Sequence, residues 1–567
     1  MGPYHITLDV GSTFTKACLW EEGEETLFLL GQASAPTTVE EGDVFPGVEA
    51  AIRRLEAQTG RSLWEAGAPL PGFHLAATSS AAGGLQMLVG GVVRTLTAES
   101  AQRAAMGAGA VVTEVLALDR HLSPAELVDA VRSARPDLIL LAGGTDDAQQ
   151  MPAVRLAEII RAAHPLSRLD GSPVPIIFAG SRRAHAYIRD ILEGRHPLFF
   201  AENIRPSLEE ERMGTVRDLV HRLFLDHVMA RAPGYPRLAA LCGEDLEPTP
   251  RGAGRLLEMA GQADGLQLLA ADVGGATTDI FSVLDGTFFR SVSAHLGISY
   301  SALTTVEAAG PEAVLAWHPK GAQEIASLYQ RAVWPTTLPE AEGERIFEEA
   351  LAKEALRLAF GQHQELVVGL KGIQQRRTFD HVFGQQATGQ RLLEAGKLDI
   401  LIGSGGILGR SEEPERALEI LLDGLRIGGV YRVYGDARYL LPHAGLLARR
   451  MPAKALSFWR DEGLLPLGSA AVAWGTLSPG RHAFRYRIPE LGVEGQVDGG
   501  GRVVIPARRD QVLTVELIPA RGVDLGAGPG KPVVEKMRGG VVGIVLDGRG
   551  VPLLPQAIRA KVGRVRP

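Results

Sequence analysis

Cysteine is nearly missing from this chain: Cys18 and Cys242 are the 2 cysteines among 567 residues. Two thiols cannot build a disulfide framework or a cysteine metal cluster, and their scarcity fits a reducing cytoplasm. No stretch approaches the roughly 18 consecutive apolar residues of a membrane span. The run around Met87–Val93 is short and interrupted by glycine, which predicts a buried strand. No charged segment followed by an apolar leader precedes the first strand pattern, so a cytoplasmic protein with no membrane partner is expected. A basic excess is also lacking; the net charge of −7 argues against a nucleic-acid partner. The 14 histidines fall in no His-Glu-x-x-His or Cys/His spacing, so no zinc site is supported. Gly526–Pro532 resembles a P-loop but has Leu525 where glycine is required and Pro532 where a Mg²⁺-binding hydroxyl belongs, and it reads as a turn. Thr78-Ser79-Ser80 lacks the Gly-x-Ser-x-Gly surround of a nucleophile elbow and reads as small residues at a strand end.

What is present is a repeat. His5–Leu8 leads into Asp9-Val10-Gly11-Ser12-Thr13-Phe14-Thr15-Lys16, and Leu268–Ala271 leads into Asp272-Val273-Gly274-Gly275-Ala276-Thr277-Thr278-Asp279. Each copy has a later echo at almost the same offset, Asp137–Gly144 in the first half and Asp399–Gly406 in the second. At this length the chain is expected to hold two to four domains. The echoes predict that two of them are copies of one α/β unit. The first unit is expected over residues 1–262 with an inserted α/β segment, and the second over 263–479.

Residues 4–35 and 266–296 each read as a three-strand meander, the second with a hairpin turn at Asp285-Gly286. Ser123-Pro124-Ala125-Glu126 is a helix start with a capping box, and its helix should feed a strand over Asp137–Leu141. Strands are predicted at Val174–Ala179 and Pro197–Ala201, and helices at Leu208–Ala230, Gly310–Gln330, Pro339–Gln362, Glu413–Leu425 and Ala444–Trp459. Leu467–Gly475, rich in glycine and alanine, reads as a packed helix. This βαβ rhythm implies a mainly parallel sheet with helices on both faces. Beyond about Ser478 the pattern changes to short strands at Phe484–Ile488, Val503–Ile505, Val512–Ile518 and Gly540–Leu546, predicting a small all-β domain over 480–567. The basic residues near its end (Arg508, Arg509, Arg559, Lys561, Arg564) read as solvated surface, as does the basic stretch Gln374–Thr378.

The repeated turn is suited to phosphate. Gly11, Gly274 and Gly275 allow close backbone approach, and successive N–H groups form an anion cradle. Ser12, Thr13 and Thr277 carry hydroxyls for phosphate oxygens. Asp9 and Asp272 supply hard oxygen ligands for Mg²⁺ through its waters. Lys16, on the returning strand, can aim its ammonium at the same phosphates. Gly403-Ser404-Gly405-Gly406 follows a buried strand, so glycine there lets an adenosine lie flat on backbone, with Ser404 near a ribose hydroxyl. Gly143, Gly144 and Thr145 are the first-half counterpart and are expected at the same cleft.

In order and spacing these motifs resemble those of the actin/Hsp70/hexokinase ATPase superfamily, over roughly residues 1–478. Asp9–Lys16 is similar to the first phosphate motif, Asp272–Asp279 to the second, and Ile402–Ile407 to the adenosine motif. Ala276 departs from a glycine common in the chaperones. The resemblance implies duplicated actin-like (ribonuclease H-like) lobes around an ATP–Mg²⁺ cleft, with Asp9 and Asp272 organising the metal and the attacking water. Ala77–Leu85, Leu96–Gly109, Asp137–Asp146 and Ala201-Glu202-Asn203 further resemble the glutamate mutase accessory, or MutL-type, family. That implies an ATP-dependent chaperone-like protein that reactivates an adenosylcobalamin-dependent mutase or aminomutase by lobe movement. The same fold also admits a sugar or carboxylate kinase, a hydantoinase- or carboxylase-type subunit, and a nucleotide-binding assembly protein without useful hydrolysis.

Overall fold

A computed structural model describes residues 4–11, 14–38, 42–80, 85–119, 122–168, 170–228, 234–333, 339, 341–367, 396–409, 413–551 and 561–564. These fall into two compact units. One comprises the described residues up to Leu256 together with Pro442–Phe458; the other comprises Leu257–Val367, those from 396 to Leu441, and those from Trp459 onward.

The first unit opens with β1 (Tyr4–Val10), β2 (Phe14–Glu22) and β3 (Leu27–Pro36), then the helix Phe45–Thr59. A two-residue ribbon, β4 (Trp64–Glu65) and β5 (Ala68–Pro69), leads into β6 (Phe73–Ser79). An inserted segment carries β7 (Gln86–Gly91), β8 (Val111–Ala117), β9 (Leu138–Ala142), β10 (Ile176–Phe178) and β11 (Leu198–Phe200), before β12 (Leu246–Pro248). β12, β6, β1, β2 and β3 form one five-stranded sheet in that order. Its first three strands are an antiparallel meander, while β6 runs parallel to β1 and β12 parallel to β6. The insertion is a second five-stranded sheet, β11-β10-β9-β7-β8, wholly parallel, with its helices as crossovers. The two sheets share a core that includes Ile6, Leu8, Leu75, Met87, Val89 and Leu140. The helix Pro124–Ala134 is capped as its sequence predicts: Ser123 accepts from the Glu126 N–H, and Glu126 accepts from the Ser123 N–H.

The second unit repeats the first sheet. Its strands are β13 (Leu268–Val273), β14 (Thr278–Leu284), β15 (Thr287–Ser293), β16 (Ile400–Ser404), β17 (Gly429–Gly435) and β18 (Leu465–Val472). β15-β14-β13-β16-β17 reproduces the order β3-β2-β1-β6-β12, with the same antiparallel meander and the same parallel fourth and fifth strands. The chain thus has duplicated actin-like lobes. The C-terminal residues are all-β: β19 (His482–Ile488), β20 (Val493–Asp498), β21 (Gly501–Ile505), β22 (Val512–Pro519), β23 (Val533–Arg538), β24 (Gly543–Asp547) and β25 (Lys561–Arg564). β20-β19-β22-β23 form a sheet of their own, whereas β24, β21 and β25 continue the second lobe's sheet beyond β18.

Several sequence expectations change. Leu467–Gly475 is not a helix: Leu465–Val472 is a strand, antiparallel to β17 and parallel to β24. Alanine's helix preference is overridden because small side chains are needed between two paired neighbours; a Cβ on Gly468 would meet the Gly543 carbonyl at 1.8 Å. The helix expected from Leu208 begins only at Gly214, because the preceding loop is pinned by the buried Arg205, which bonds Ser100 and the Leu208 carbonyl. Gly310–Gln330 divides into Pro311–Ala316 and Ile325–Val333, separated by a turn with Gly321 at φ +59°. Ala444–Trp459 divides into Leu441–Ala448 and Pro452–Phe458, with Pro452 starting the second helix. β20 and β23 are strands the sequence reading did not include. Gln374–Thr378 and Arg559 lie outside the described residues.

A buried charge cluster fixes the C-terminal strands to the second lobe. Asp423, on the helix Pro414–Leu425, receives Lys353 Nζ at 2.9 Å, Arg502 Nη2 at 2.9 Å and Arg549 Nη2 at 2.5 Å. Asp547 receives Arg549 Nη2 at 2.7 Å and Arg502 Nη2 at 3.2 Å. Burial alone would raise both carboxyl pKa values, but Arg549, Arg502 and, for Asp423, Lys353 outweigh it and hold both well below the usual carboxylate range. The stabilisation is therefore fully present above about pH 4, the unfolded carboxyl value, and is lost as pH falls through the folded values. Asp547→Ala leaves two buried guanidiniums, Arg502 and Arg549, sharing Asp423 as their remaining buried carboxylate, and should cost about 3 kcal/mol. Thermal melts should show a midpoint lower by on the order of 5 °C. Melts that coincide with those of the native chain would remove this cluster from the forces holding β21 and β24.

Candidate functional site

Each lobe carries the same turn in the same place. In the first, β1 ends at Val10, and the Gly11 N–H donates to the Phe14 carbonyl at 3.1 Å as the chain reverses into β2. In the second, β13 ends at Val273, and the Gly274 N–H donates to the Thr277 carbonyl at 2.9 Å. Space is short at both: a Cβ on Gly11 would lie 2.8 Å from the Phe14 oxygen and force a shift, and one on Gly274 would make a tight 3.1 Å contact with the Thr277 oxygen. Ser12 and Thr13 lie outside the described residues.

Strand pairing sets the neighbours of the two aspartates. Asp9 stands opposite Lys16 on β2 and Thr78 on β6; Asp272 stands opposite Asp279 on β14 and Ser404 on β16. Asp9 is 1% exposed, and its Oδ1 accepts from the Thr78 hydroxyl at 2.9 Å and the Thr249 hydroxyl at 2.8 Å. Lys16 Nζ is 3.8 Å from its Oδ2. Beside this pair, Ser79 and Tyr235 share a hydroxyl–hydroxyl bond of 2.5 Å. Two residues before Asp9, Thr7 accepts the Trp20 indole N–H at 2.8 Å and bonds His443 Nδ1 at 2.9 Å. Burial lowers the His443 pKa to about 4, with Asp9 pulling the other way, so the imidazole is neutral near pH 7.

In the second lobe, Gly275 is braced by backbone bonds from Ser299 (2.9 Å) and Ser301 (3.2 Å) to its carbonyl. Thr277 Oγ1 lies 3.5 Å from Asp279 Oδ2, and the Asp279 Oδ1 receives Arg290 Nη2 at 2.6 Å. Gly403, Ser404 and Gly405 are buried at the end of β16, beside the Asp272 turn. Gly405 has φ +99°, and a Cβ there would come within 2.3 Å of the Val273 oxygen and 2.7 Å of Asp272 Oδ1. Gly406 is exposed and open. The Ser404 hydroxyl donates to Asp436 at 3.1 Å, and Asp436 also accepts the Leu440 and Leu441 N–H groups.

Gly143, Gly144 and Thr145 are not the first-lobe counterpart of Gly403–Gly406. They follow β9, in the inserted parallel sheet, where a Cβ on Gly143 would strike the Phe178 ring at 2.5 Å and Asn203 Nδ2 donates to the Gly144 carbonyl at 3.0 Å. The strand that lies beside β1 as β16 lies beside β13 is β6, and its end carries Thr78 and Ser79. The similar offset of Asp137–Gly144 and Asp399–Gly406 reflects two parallel strands of alike composition, each entering a helix through a glycine turn. Thr78, Thr249 and Asp436 are the residues that sequence reasoning missed. Thr78 was in view as a strand-end hydroxyl; its role depends on which strand pairs with β1.

Comparison with known proteins places the chain. The family model for MutL protein matches residues 5–462. The Protein MutL of Clostridium tetanomorphum is 31% identical over 480 residues, covering 80% of this chain and 97% of that one. The chain belongs to the MutL family. Among solved structures, a nucleotide-free diol dehydratase-reactivating factor aligns at 11% identity and TM-score 0.32, covering 81% of this chain and 100% of that one. An acetone carboxylase aligns at 12% identity and TM-score 0.34, covering 79% and 70%.

Among the described residues, no three His, Cys, Asp or Glu side chains gather as a metal site, and no helix is long and apolar enough to cross a membrane. Isolated carboxylates at glycine turns suit Mg²⁺ that keeps its waters and phosphate ligands rather than a metal caged by protein. In this MutL-family chain the contrast between Gly405 and Gly406 is testable. Gly405→Ala should destabilise by about 1–3 kcal/mol, since it meets both positive φ and a carbonyl. Gly406→Ala should stay within about 0.5 kcal/mol. Denaturant melts of the two variants decide this, and equal stability would refute the tight packing of Gly405 on the Asp272 turn.

Proposed function

We propose that this MutL-family chain binds ATP with Mg²⁺, hydrolyses it, and uses the cycle to reactivate an adenosylcobalamin-dependent mutase or aminomutase. The observation that carries the nucleotide reading is the pair of Asp-x-Gly turns, closed by the same hydrogen bond at the same position of two sheets with the same strand order. Both copies keep a glycine turn beside a strand-end carboxylate, buried at Asp9 and half-buried at Asp272, and such a turn with an adjacent hard oxygen ligand suits phosphate and Mg²⁺. Family membership and the motifs shared with the mutase accessory proteins support the choice of client.

Bound ATP and Mg²⁺ would supply the phosphoryl group and the divalent charge. Asp9 and Asp272, each at the turn of its own lobe, would hold metal-bound water and orient the water that attacks. The N–H groups at Gly11, Gly274 and Gly275, the Thr277 hydroxyl and, by their motif positions, those of Ser12 and Thr13 cradle phosphate oxygens. Lys16 offsets charge that develops on them. Gly403–Gly406 form the shelf for adenosine, with Ser404 tied to Asp436 beneath it.

Asp9→Ala or Asp272→Ala should lower Mg²⁺-dependent ATP hydrolysis at least about 100-fold in a chain that still folds, with Asp9→Ala the less stable of the two because it removes the acceptor of two buried hydroxyls. Hydrolysis by the native chain should rise when an inactivated cobalamin-dependent mutase is added, and the mutase should recover turnover only with ATP. Undiminished hydrolysis in both variants would refute the site; stimulation by a small metabolite, with its phosphorylation, would replace the chaperone reading by a kinase.

A further inference from the structure

Two hydroxyls converge on one oxygen of Asp9. Thr78 Oγ1 donates to Oδ1 at 2.9 Å and Thr249 Oγ1 donates to the same atom at 2.8 Å. A second, longer approach of the Thr78 hydroxyl, 3.4 Å to the Leu8 carbonyl, is the weaker alternative acceptor. The donors come from the end of β6 and from the first residue of the helix Thr249–Asp264, far apart in sequence. Thr78 is 0% exposed, Thr249 5% and Asp9 1%, so water does not compete for these bonds. Lys16 Nζ, by contrast, stands 3.8 Å from the other oxygen, Oδ2.

We propose that Thr78 and Thr249 are positioning residues. They fill the acceptor capacity of Oδ1 and leave Oδ2 as the oxygen that Asp9 offers to Lys16 and to metal-bound water. This rests on the ATPase reading above. A carboxylate oxygen has two in-plane lone-pair directions, and two O–H donors occupy both. Partial rotation of the carboxylate then weakens both bonds, while the half-turn that exchanges its equivalent oxygens restores the same arrangement, so one oxygen always stands in the Oδ1 place and the other in the Oδ2 place.

The arrangement dictates the fate of an isostere. In Asp9→Asn only the amide oxygen can accept two O–H donors, so it must take the Oδ1 place. The amide nitrogen is thereby forced into the Oδ2 place, presenting hydrogens where an acceptor is required. The variant should be well folded and dead.

The test uses the full-length chain. Steady-state ATP hydrolysis is measured against ATP and Mg²⁺ concentration for Thr78→Val, Thr249→Val, the double variant, Thr78→Ser, Thr249→Ser, Asp9→Asn and Asp9→Ala, each with a melting curve. Each valine variant should lower kcat about tenfold and the pair about 100-fold, with a higher Mg²⁺ requirement and a KM for ATP within about twofold. The serine variants, which keep the hydroxyl, should stay within about threefold of the native chain. Asp9→Asn should match native stability yet lose at least about 100-fold in kcat. An inactive Asp9→Ala beside a double valine variant with native kcat and Mg²⁺ dependence would overturn the positioning role and leave the ATPase reading intact. Undiminished hydrolysis in Asp9→Ala would overturn the ATPase reading itself. Should the valine variants unfold, a folded Asp9→Asn with native Mg²⁺-dependent turnover would overturn the proposal.

Discussion

A carboxylate at the end of a central strand, nearly out of reach of water, is the constraint around which the first lobe is arranged. Asp9 is buried between β2 and β6, where an unpaired charge would cost several kcal/mol. The lobe meets that cost with elements from three separate parts of the chain: Lys16 from the returning strand, Thr78 from the parallel neighbour and Thr249 from the start of a helix. β1 must therefore pair on both sides, and β12 must end where Thr249 can reach inward. The order β12-β6-β1-β2-β3 satisfies both demands.

The second lobe sets its carboxylate at the same strand position but leaves it half-buried, among different residues. Asp272 has a strand partner on each side as Asp9 does, but Ser404 rather than threonine stands at its parallel neighbour, and that hydroxyl turns to Asp436. Gly405 lets the neighbouring turn close onto Asp272 and the Val273 carbonyl. Nearby, Asp279 is bound by the buried Arg290, whose guanidinium pKa burial lowers despite Asp279 and Asp272. The duplication is thus one of backbone, with side-chain chemistry diverged between copies. A fully buried histidine on the long helix Glu342–Leu366, His363, bonds Ser282 and Ser291 of the meander and is held neutral by burial, its pKa lowered to about 3.

The all-β C-terminal residues are more than an appendage. Three of their strands extend the second lobe's sheet, and Arg502, Asp547 and Arg549 close a charge cluster with Asp423 and Lys353 inside the same unit. Removing 480–567 would take away β21, β24 and β25 and leave Asp423 without two of its guanidinium partners. Hydrophobic pattern revealed short strands there, but nothing local indicated which sheet each would join, because strand partnership is decided by packing between distant segments.

The sequence by itself determined the repeated Asp-x-Gly turns, the two meanders, the capped helix at Ser123 and the glycine run that follows a buried strand at 403–406, since each is written in contiguous residues with local rules of turn and period. It also carried the family resemblance that the comparisons bear out. Tertiary structure alone decided that Thr78, and not Gly143 or Gly144, is the parallel-strand neighbour of Asp9. It also turned the glycine- and alanine-rich Leu465–Val472 into a strand and brought Thr249 to Asp9 across 240 residues. Strand order and sheet membership are long-range choices, and two parallel strands of like composition cannot be told apart until the core has selected their neighbours.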